Sequence, residues 1–288
     1  MLQTGGLDKA ESIRRLVDAL DRRFVGDIGQ TEKFKAWRIW ALEVAAVQDP
    51  TNRLFELLRV AMQRLLDIVL SLLALLVLSP LLVPIVILLR LTGEGEVLFF
   101  QNRVGKGGKA FKLYKFATML KNSPTIGTGT VTLKNDPRIL PIGHFLRKSK
   151  INELPQLLNI LKGDMSIIGP RPQTQRCFDA FTPASQRAIV QVRPGITGIG
   201  SIIFHDEENV IHGHADSVRF YDEVIAPYKG ALEEWYVANQ GLRTYLVCIG
   251  VTAWVVLNPE SNLAWRVFGS LPPPPEELAR ALQWPGAK

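Results

Sequence analysis

A single carboxylate in a basic stretch of the chain is the feature best suited to chemistry. Glu153 follows Asn152, with Arg147 and Lys150 before the pair and Arg171 after it. Such a set suits phosphate chemistry, because cations offset phosphate charge while a carboxylate holds a metal ion or activates a nucleophile. An ordinary stable helix start uses the same residue types, so the residues alone leave both interpretations open.

A short helix is predicted immediately around this carboxylate. Asn152 is a favoured N-cap, Pro155 is tolerated in a first turn, and Gly163 stands where a left-handed stop belongs. Leucines recur between them at helical spacing. The pattern therefore predicts a helix from Asn152 to Gly163, with Glu153 at its positive end.

Composition limits the class of protein. The chain has 288 residues, room for one or two domains, and 34 basic against 27 acidic residues give a net charge of +7. The basic excess lies between Arg103 and Arg147 and favours anionic partners, which are a membrane surface, phosphate groups or nucleic acid. Cys177 and Cys248 are too few for a disulfide framework and fit a reducing compartment. The polar first 30 residues contain no cleavable signal peptide.

One apolar segment is long enough to cross a bilayer. The stretch from Ile68 to Leu89 has no charged residue in 22 positions. Ser79-Pro80 and Pro84 interrupt it, and arginines lie on both sides, which places both ends on the cytoplasmic face by the positive-inside tendency. These features favour a re-entrant hairpin broken at Ser79 and Pro80 over a spanning helix, although sequence leaves both open.

The other predicted elements surround these two. Residues 8–48 predict two amphipathic helices, and residues 97–116 predict a β-hairpin that turns at a glycine cluster. Residues 218–239 have a helical pattern. Residues 242–257 are apolar and are expected to pack on the core or lie at a membrane interface. Residues 271–275 predict a proline-rich linker to a short C-terminal helix.

Four motifs carry a family resemblance. The segment ELPQLLNILKGDMSIIGPRP, from Glu153 to Pro172, is similar to the pattern "DELPQL.N...GDMS.VGPRP" of the bacterial sugar transferases, which are monotopic polyprenyl-phosphate phosphoglycosyltransferases. The segments QNRVGKGGKAFKLYKFATM and NDPRILPIGHFLR resemble two more family patterns, and RPGITG is a further match. The resemblance extends from about Arg64 to Asn258.

The resemblance implies a fold and a division of the chain. The expected fold is α+β and mostly helical, a monotopic membrane protein with a re-entrant helical hairpin and a small β-hairpin beside a helical catalytic domain. The expected regions are an accessory region (1–60) for regulation or self-association, the membrane hairpin (61–92), the catalytic domain (93–260) and a proline-containing tail (261–288). The implied location is the cytoplasmic face of a bacterial inner membrane.

It also implies an activity. Such enzymes move a sugar-1-phosphate from a nucleotide sugar, here expected to be UDP-linked, to polyprenyl phosphate and release a nucleoside monophosphate, with Mg²⁺ as cofactor. This is the first membrane step of surface glycan or exopolysaccharide assembly. The expected partners are these substrates, the membrane and a second copy of the chain, with no nucleic acid. The site residues carried over are catalytic Glu153 and Asn152, the metal ligand Glu153, and the substrate-binding Lys115, Arg147, Arg171 and Arg193.

The chain departs from the family at sensitive positions. The Asp of the family's Asp-Glu dyad is the covalent nucleophile, and Asn152 replaces it here. Because an amide cannot form an acyl-phosphate, either Glu153 attacks, or the lipid phosphate attacks directly, or activity is lost. Asn152 would still orient a phosphate or Mg²⁺. Ala117 replaces a family arginine, and residues 200–204 replace a loop expected to bind the nucleotide or sugar.

Two other interpretations of polar clusters compete with this one. A membrane-tethered scaffold or nucleic-acid-binding protein would use lysines and aromatics of residues 106–121 as a basic surface. A transition-metal site would use His205, Asp206, Glu207, Glu208, His212 and His214, although no complete tetrahedral set stands out among them.

Overall fold

The structure is a computed structural model that describes residues 50–92, 94–125, 136–212 and 216–286. The chain divides into two compact units, residues 1–63 and 64–288. The described part of the first unit, residues 50–63, is helical and contains an ion pair between Glu56 and Arg59. The helices predicted over residues 8–48 lie outside the described residues.

The elements are numbered over the described residues. The helices are α1 (Pro50–Thr92), α2 (Pro141–Lys148), α3 (Gln156–Lys162), α4 (Gln175–Asp179), α5 (Pro183–Ile189), α6 (Ile199–Ile203), α7 (Glu207–His212), α8 (Ser217–Phe220), α9 (Ala226–Ala238), α10 (Leu242–Leu257), α11 (Leu263–Val267) and α12 (Glu276–Ala279). The strands are β1 (Leu98–Val104), β2 (Ala110–Phe116), β3 (Ser166–Ile168) and β4 (Gly195–Thr197). The predicted α+β, mostly helical fold is confirmed.

Helix α1 is continuous through the prolines that were predicted to break it. Pro80 has no N–H to bond the carbonyl of Leu76, four residues earlier. The hydroxyl of Ser79 donates to that carbonyl instead, at 2.8 Å. Ser79 and Pro80 therefore do not interrupt the helix, because the serine compensates for the bond that the proline removes. A re-entrant path through a membrane stays a prediction.

Within the second unit, the part of α1 that begins at Arg64 packs along one face only. Asp67, Ser71, Ile85 and Leu89 are buried at helical spacing. The opposite face is apolar and exposed, with Leu72, Leu73, Leu76, Val77, Leu81, Val83, Val86 and Ile87. By length and composition the segment Leu54–Thr92 is able to cross a membrane, with a mean hydropathy of 3.0 in its most apolar window. Only 11% of that window is buried, unlike a core helix of a soluble domain.

The predicted β-hairpin is confirmed and is tied to α3. Strands β1 and β2 pair antiparallel, and Gly107 and Gly108 adopt φ values of 70° and 72° at the turn. The buried side chain of Asn159 on α3 accepts from the main-chain N–H of Tyr114 at 2.9 Å and donates to the carbonyl of Lys112 at 2.8 Å. This amide fixes α3 against β2, which carries Lys115.

A second, parallel pair of strands positions the Gly169-Pro170-Arg171-Pro172 turn. Strand β3 pairs with β4, and the main chain of Gly169 donates to Thr197 at 2.9 Å. A Cβ atom on Gly169 would lie 2.4 Å from the carbonyl oxygen of Arg193, and one on Gly195 would lie 2.2 Å from the nitrogen of Gly169. The two motifs therefore require glycine, because their backbones touch.

The start of the site helix differs from the prediction. Helix α3 begins at Gln156 after Pro155, and Asn152 lies instead in a 3₁₀ turn, Ile151–Glu153, where its side chain caps nothing. The N-cap assignment to Asn152 is thus wrong, since a tight turn separates it from the helix. The stop is confirmed, because Gly163 adopts a φ of 94°.

Helices α9 and α10 form the centre of the main hydrophobic core. The predicted helix over residues 218–239 is present, but a π-helical turn, Tyr221–Ile225, separates α8 from α9. The C-terminal segment also belongs to this core. Leu278 and Leu282 are buried, and the Tyr228 hydroxyl donates to the Pro272 carbonyl at 2.9 Å. The short C-terminal helix is confirmed, while the expected separate tail is packed against α9.

Candidate active site

The carboxylate of Glu153 lies among cations from three separate segments. Its Oε1 accepts from Nζ of Lys115 on β2 at 3.2 Å and from the guanidinium of Arg171 at 2.9 Å. Arg103 on β1 donates to the Pro172 carbonyl at 3.2 Å, and its charge reaches both Arg171 and Glu153. Glu153, Lys115, Arg103 and Arg171 are called the charged cluster below. With three cations against one carboxylate, the cluster has a surplus of positive charge.

The turn that presents Glu153 is entered through an unusual backbone conformation. Lys150 has a φ of 59°, in the left-handed region that side chains other than glycine seldom adopt. The main-chain N–H of Glu153 donates back to the Lys150 carbonyl at 3.0 Å and closes the turn. Holding a non-glycine residue there costs on the order of 1 kcal/mol, and such strain is concentrated at functional sites.

Burial and neighbouring charges shift the pKa values of the charged cluster. Burial raises the pKa of Glu153, but the charges and hydrogen bonds of Arg171 and Lys115 outweigh it and hold that pKa below its usual range. Burial lowers the pKa of Lys115 to about 8, although Glu153 opposes the shift. Burial and the charge of Arg171 lower the pKa of Arg103 to about 10. Glu153 is therefore ionised at neutral pH.

Asn152 lies beside this cluster and faces inward. The residue is 6% exposed, and its buried Oδ1 has no hydrogen-bond partner. A buried polar atom without a hydrogen-bond partner is uncommon in a folded protein. A ligand that forms the missing hydrogen bond explains such an atom. The Asn152 amide thus offers a hydrogen-bonding group that the protein leaves unused.

A second carboxyl lies behind Arg171 in a contrasting setting. Glu233 on α9 is 2% exposed, and neither of its oxygens has a hydrogen-bond partner of standard geometry, although the main-chain N–H of Arg171 is near. A Cβ atom on Gly200 would lie 2.4 Å from its Oε1. Burial raises the pKa of Glu233 to about 8, against the opposing charge of Lys229. The buried Lys229 itself donates to both oxygens of Glu207 at 2.8 Å.

The structure brings together only some of the predicted site residues. Glu153, Lys115 and Arg171 are in contact, and Asn152 is adjacent in the chain. Arg193 donates instead to the carbonyl of Gly163 at 2.9 Å, at the far end of α3. Arg147 on α2 faces the sulfur of Met119 at 3.9 Å. Neither of these two arginines contacts Glu153 in the structure.

Four charged residues lie around Arg171: sequence reasoning assigned Arg103, Lys229 and Glu233 to no site, and it placed Glu207 in a candidate transition-metal cluster. All four lie on a strand, in a polar loop or on a helix, where a charged residue is ordinarily exposed to solvent. The available signal was the match of Arg103 to the family segment around the β-hairpin. Burial is what distinguishes them, and spacing does not encode it.

The structure gives less support to the two competing interpretations, a nucleic-acid-binding surface and a transition-metal site. Phe116 is buried and Phe111 packs against a hydrophobic cluster, so these aromatics do not form the exposed platform that stacks nucleic-acid bases. Among the described residues, no group of three or more His, Cys, Asp or Glu is arranged to hold a metal ion. His214 of the predicted transition-metal cluster lies outside the described residues.

Polar contacts fix α1 to the domain that carries the charged cluster. The buried Asp67 accepts through Oδ1 from the Ser166 hydroxyl at 3.0 Å, the Ile167 N–H at 2.9 Å and the Tyr245 hydroxyl at 2.8 Å. Arg64 donates to the carbonyls of Ile160 and Leu161, the last turn of α3. The apolar helix is thus bonded to the helix that follows Glu153.

The structure thus joins an apolar helix to an α+β domain that carries a carboxylate among cations. The sequence pattern of the bacterial sugar transferase family matches residues 58–259. The chain therefore belongs to this family.

Named relatives agree with that membership. The UDP-N-acetylgalactosamine-undecaprenyl-phosphate N-acetylgalactosaminephosphotransferase of Aeromonas hydrophila is 39% identical over 155 residues, 53% of this chain and 34% of that protein. The UDP-glucose:undecaprenyl-phosphate glucose-1-phosphate transferase of Escherichia coli K12 is 34% identical over 180 residues, 61% of this chain and 37% of that protein. The exopolysaccharide production protein PSS of Rhizobium leguminosarum is 41% identical over 147 residues, 49% of this chain and 73% of that protein. The chain spans about a third of the length of the first two relatives.

Proposed function

We propose that the protein transfers a sugar-1-phosphate from a nucleotide-activated sugar to polyprenyl phosphate. The products are a polyprenyl diphosphate-sugar and a nucleoside monophosphate, and the reaction begins surface glycan or exopolysaccharide assembly. The observation that carries the proposal is the charged cluster, a partly buried surplus of cations around Glu153 on a domain bonded to an apolar helix. The family membership and the names of the relatives support it.

The charged cluster suits a diphosphate ligand. Lys115 supplies a compact charge, and the guanidiniums of Arg103 and Arg171 supply planar donors that match phosphate oxygens. Charge-assisted hydrogen bonds of this kind are stronger than neutral ones, and partial burial strengthens them further. Binding a diphosphate also removes the repulsion among three neighbouring cations.

The residues fit a Mg²⁺ ion together with the donor. Mg²⁺ in phosphate-transfer sites is held by one or two protein oxygens plus substrate phosphates, not by a complete protein cage. The carboxylate of Glu153 and the unpartnered Oδ1 of Asn152 provide two such oxygens. When bound there, the ion would neutralise negative charge that develops on the leaving phosphate.

The exposed face of α1 supports a location at the membrane. A helix embedded in one leaflet would bring the lipid phosphate to the level of the charged cluster, and arginines on both sides of the apolar stretch favour the cytoplasmic face. Cysteine-accessibility labelling near Arg59 and Lys106 tests this path, and labelling from opposite faces would exclude it.

The donor is proposed to be UDP-linked, as it is in the names of the Aeromonas and E. coli relatives. The test incubates purified full-length protein and undecaprenyl phosphate in detergent micelles with a panel of nucleotide sugars, including UDP-glucose and UDP-N-acetylgalactosamine. Release of nucleoside monophosphate that requires the lipid is the expected result. No release with any donor, from protein that is folded by circular dichroism, would contradict the proposal.

A further inference from the structure

Position 152 raises the question of which group attacks the donor. The amide of Asn152 is neutral, and its lone pair on nitrogen is delocalised into the carbonyl, so it is not a protein nucleophile. Its side chain is nevertheless buried beside Glu153 with Oδ1 unpartnered. Its available role is to hydrogen-bond a ligand, not to form a bond to phosphorus.

Glu153 is the adjacent carboxylate, and its environment opposes a covalent role. Its Oε1 is held by both Lys115 and Arg171, and only 15% of its side chain is exposed. Two cations reduce the basicity of a carboxylate and therefore its strength as a nucleophile. Formation of an acyl-phosphate would also neutralise the carboxylate to which Lys115 and Arg171 are bonded, since its remaining negative charge would lie on the phosphate.

Glu207 is a further carboxylate whose charge reaches Arg171. Both of its oxygens accept from Nζ of Lys229, a lysine that is 2% exposed. Releasing Glu207 would leave a buried ammonium unpaired, which is strongly unfavourable. Among the described residues, three carboxyl groups interact electrostatically with Arg171. Glu153 and Glu207 are paired with cations, and Glu233 is buried away from solvent.

We infer that this enzyme transfers the sugar phosphate in one displacement, with both substrates bound together and without a covalent enzyme intermediate. The inference rests on the proposed function. An ionised oxygen of the lipid phosphate attacks the donor phosphorus that carries the sugar. As that P–O bond forms, the bond from the same phosphorus to the bridging oxygen breaks, and the nucleoside monophosphate leaves with the electron pair. Charge and atoms balance without a proton or another reactant.

The charged cluster supplies what this displacement requires. Lys115 and Arg171 reduce the repulsion between an anionic attacking group and an anionic donor, which is the main obstacle to bringing them together. Asn152, being uncharged, adds no further negative charge where the lipid phosphate must approach. Its amide is a positioning group for the transferred phosphate or its sugar.

The test asks whether the donor alone reacts. Wild-type protein is mixed with UDP-glucose or UDP-N-acetylgalactosamine, whichever the panel shows to be turned over, and UMP is measured in the first turnover. Without undecaprenyl phosphate we expect no stoichiometric UMP, and with both substrates we expect intersecting double-reciprocal plots. One equivalent of UMP without lipid, parallel plots, or a sugar-phosphate adduct in the mass spectrum of Glu153 would overturn the inference and leave the proposed function intact.

Two further measurements sharpen the result. A donor with a chiral sulfur-substituted phosphorus should give product of inverted configuration, because a single in-line attack inverts and two successive attacks retain. In the variant Asn152→Asp, the added carboxylate should create a donor-only UMP burst that wild type lacks. If wild type releases no UMP with both substrates and any donor of the panel, the proposed function and the inference fail together.

Discussion

Glu153 and Glu233 are two carboxyl groups connected through Arg171, and their environments are opposite. The Arg171 guanidinium bonds to Glu153, whereas its main-chain N–H faces Glu233. Glu153 has two cationic partners and a pKa below its usual range. Glu233 has no hydrogen-bond partner of standard geometry, and burial raises its pKa to about 8.

The difference shows how one domain uses the same side chain in two ways. Burial raises the pKa of both carboxyls, so the cations bonded to each one decide whether it ionises. Glu153 stays charged because cations compensate for its burial. Burial favours the protonated form of Glu233, which adds no negative charge to the charged cluster.

The largest effect on turnover is expected at Glu153, whose charge is proposed to take part in the reaction. Replacing Glu153 by Gln should lower kcat by about 10³-fold, in line with the loss of a catalytic carboxylate. The donor should bind at least as tightly, since a negative charge is removed from an anion site. Steady-state UMP release measures kcat and KM separately. Wild-type turnover would exclude Glu153 from the mechanism.

The link between the two carboxyls is tested at Arg171. Replacing it by Lys keeps the charge but loses the planar fork, so kcat/KM for the donor should fall by roughly 10–100-fold, the equivalent of one or two charge-assisted hydrogen bonds. Arg193→Lys is the matched control, because that guanidinium bonds to the Gly163 main chain. Equal losses in both variants would indicate a general structural effect.

Replacing a third buried carboxyl, Asp67, tests the attachment of the apolar helix and not the chemistry. Asp67→Ala leaves the Ser166 and Tyr245 hydroxyls and the Ile167 N–H without their acceptor. The expected cost is about 1–3 kcal/mol of stability, measured by thermal unfolding in detergent. Leu72→Ala, on the exposed face of the same helix, is the control and should unfold like wild type. A wild-type melting temperature for Asp67→Ala would mean that these bonds contribute nothing.

The smallest effect is expected at Glu233, and it depends on pH. Between the ordinary carboxyl pKa of 4.5 and about 8, the folded protein holds a proton that the unfolded chain has lost. The stability of wild type therefore falls as pH rises through this window. Glu233→Gln has no such proton, so its melting temperature should match wild type at pH 4 and exceed it at pH 9. Equal melting temperatures at pH 9 would mean that Glu233 ionises without cost.

Sequence alone predicted the elements whose signals are local. The glycines of the β1–β2 turn and Gly163 after α3 each demand a backbone conformation that few other residues adopt, so they mark their positions clearly. Asn152 was misplaced because Pro155 also signals a helix start; Asn152 lies in a 3₁₀ turn, and the helix begins after Pro155. The three-residue strands β3 and β4 are too short for a periodic pattern.

The candidate site was only partly predictable, because its residues come from separate segments that no local signal connects. Lys115, Glu153 and Arg171 were identified together through the family motifs, since nothing local connects a strand, a turn and a loop. The burial of Glu233 was not predictable, because a glutamate in a helical stretch is normally solvated. Its environment depends on Gly200, a residue far away in sequence whose missing side chain makes room for it.

Under the proposed function, the bonds from Asp67 and Arg64 have a consequence for how the protein would meet polyprenyl phosphate. A catalytic centre held rigidly by the apolar helix stays at one height relative to the bilayer surface. Its collisions with lipid phosphate then occur in a plane, and the relevant quantity is the number of substrate molecules per unit area. Diluting the substrate with inert lipid should slow the reaction even when the total amounts of enzyme and substrate are unchanged.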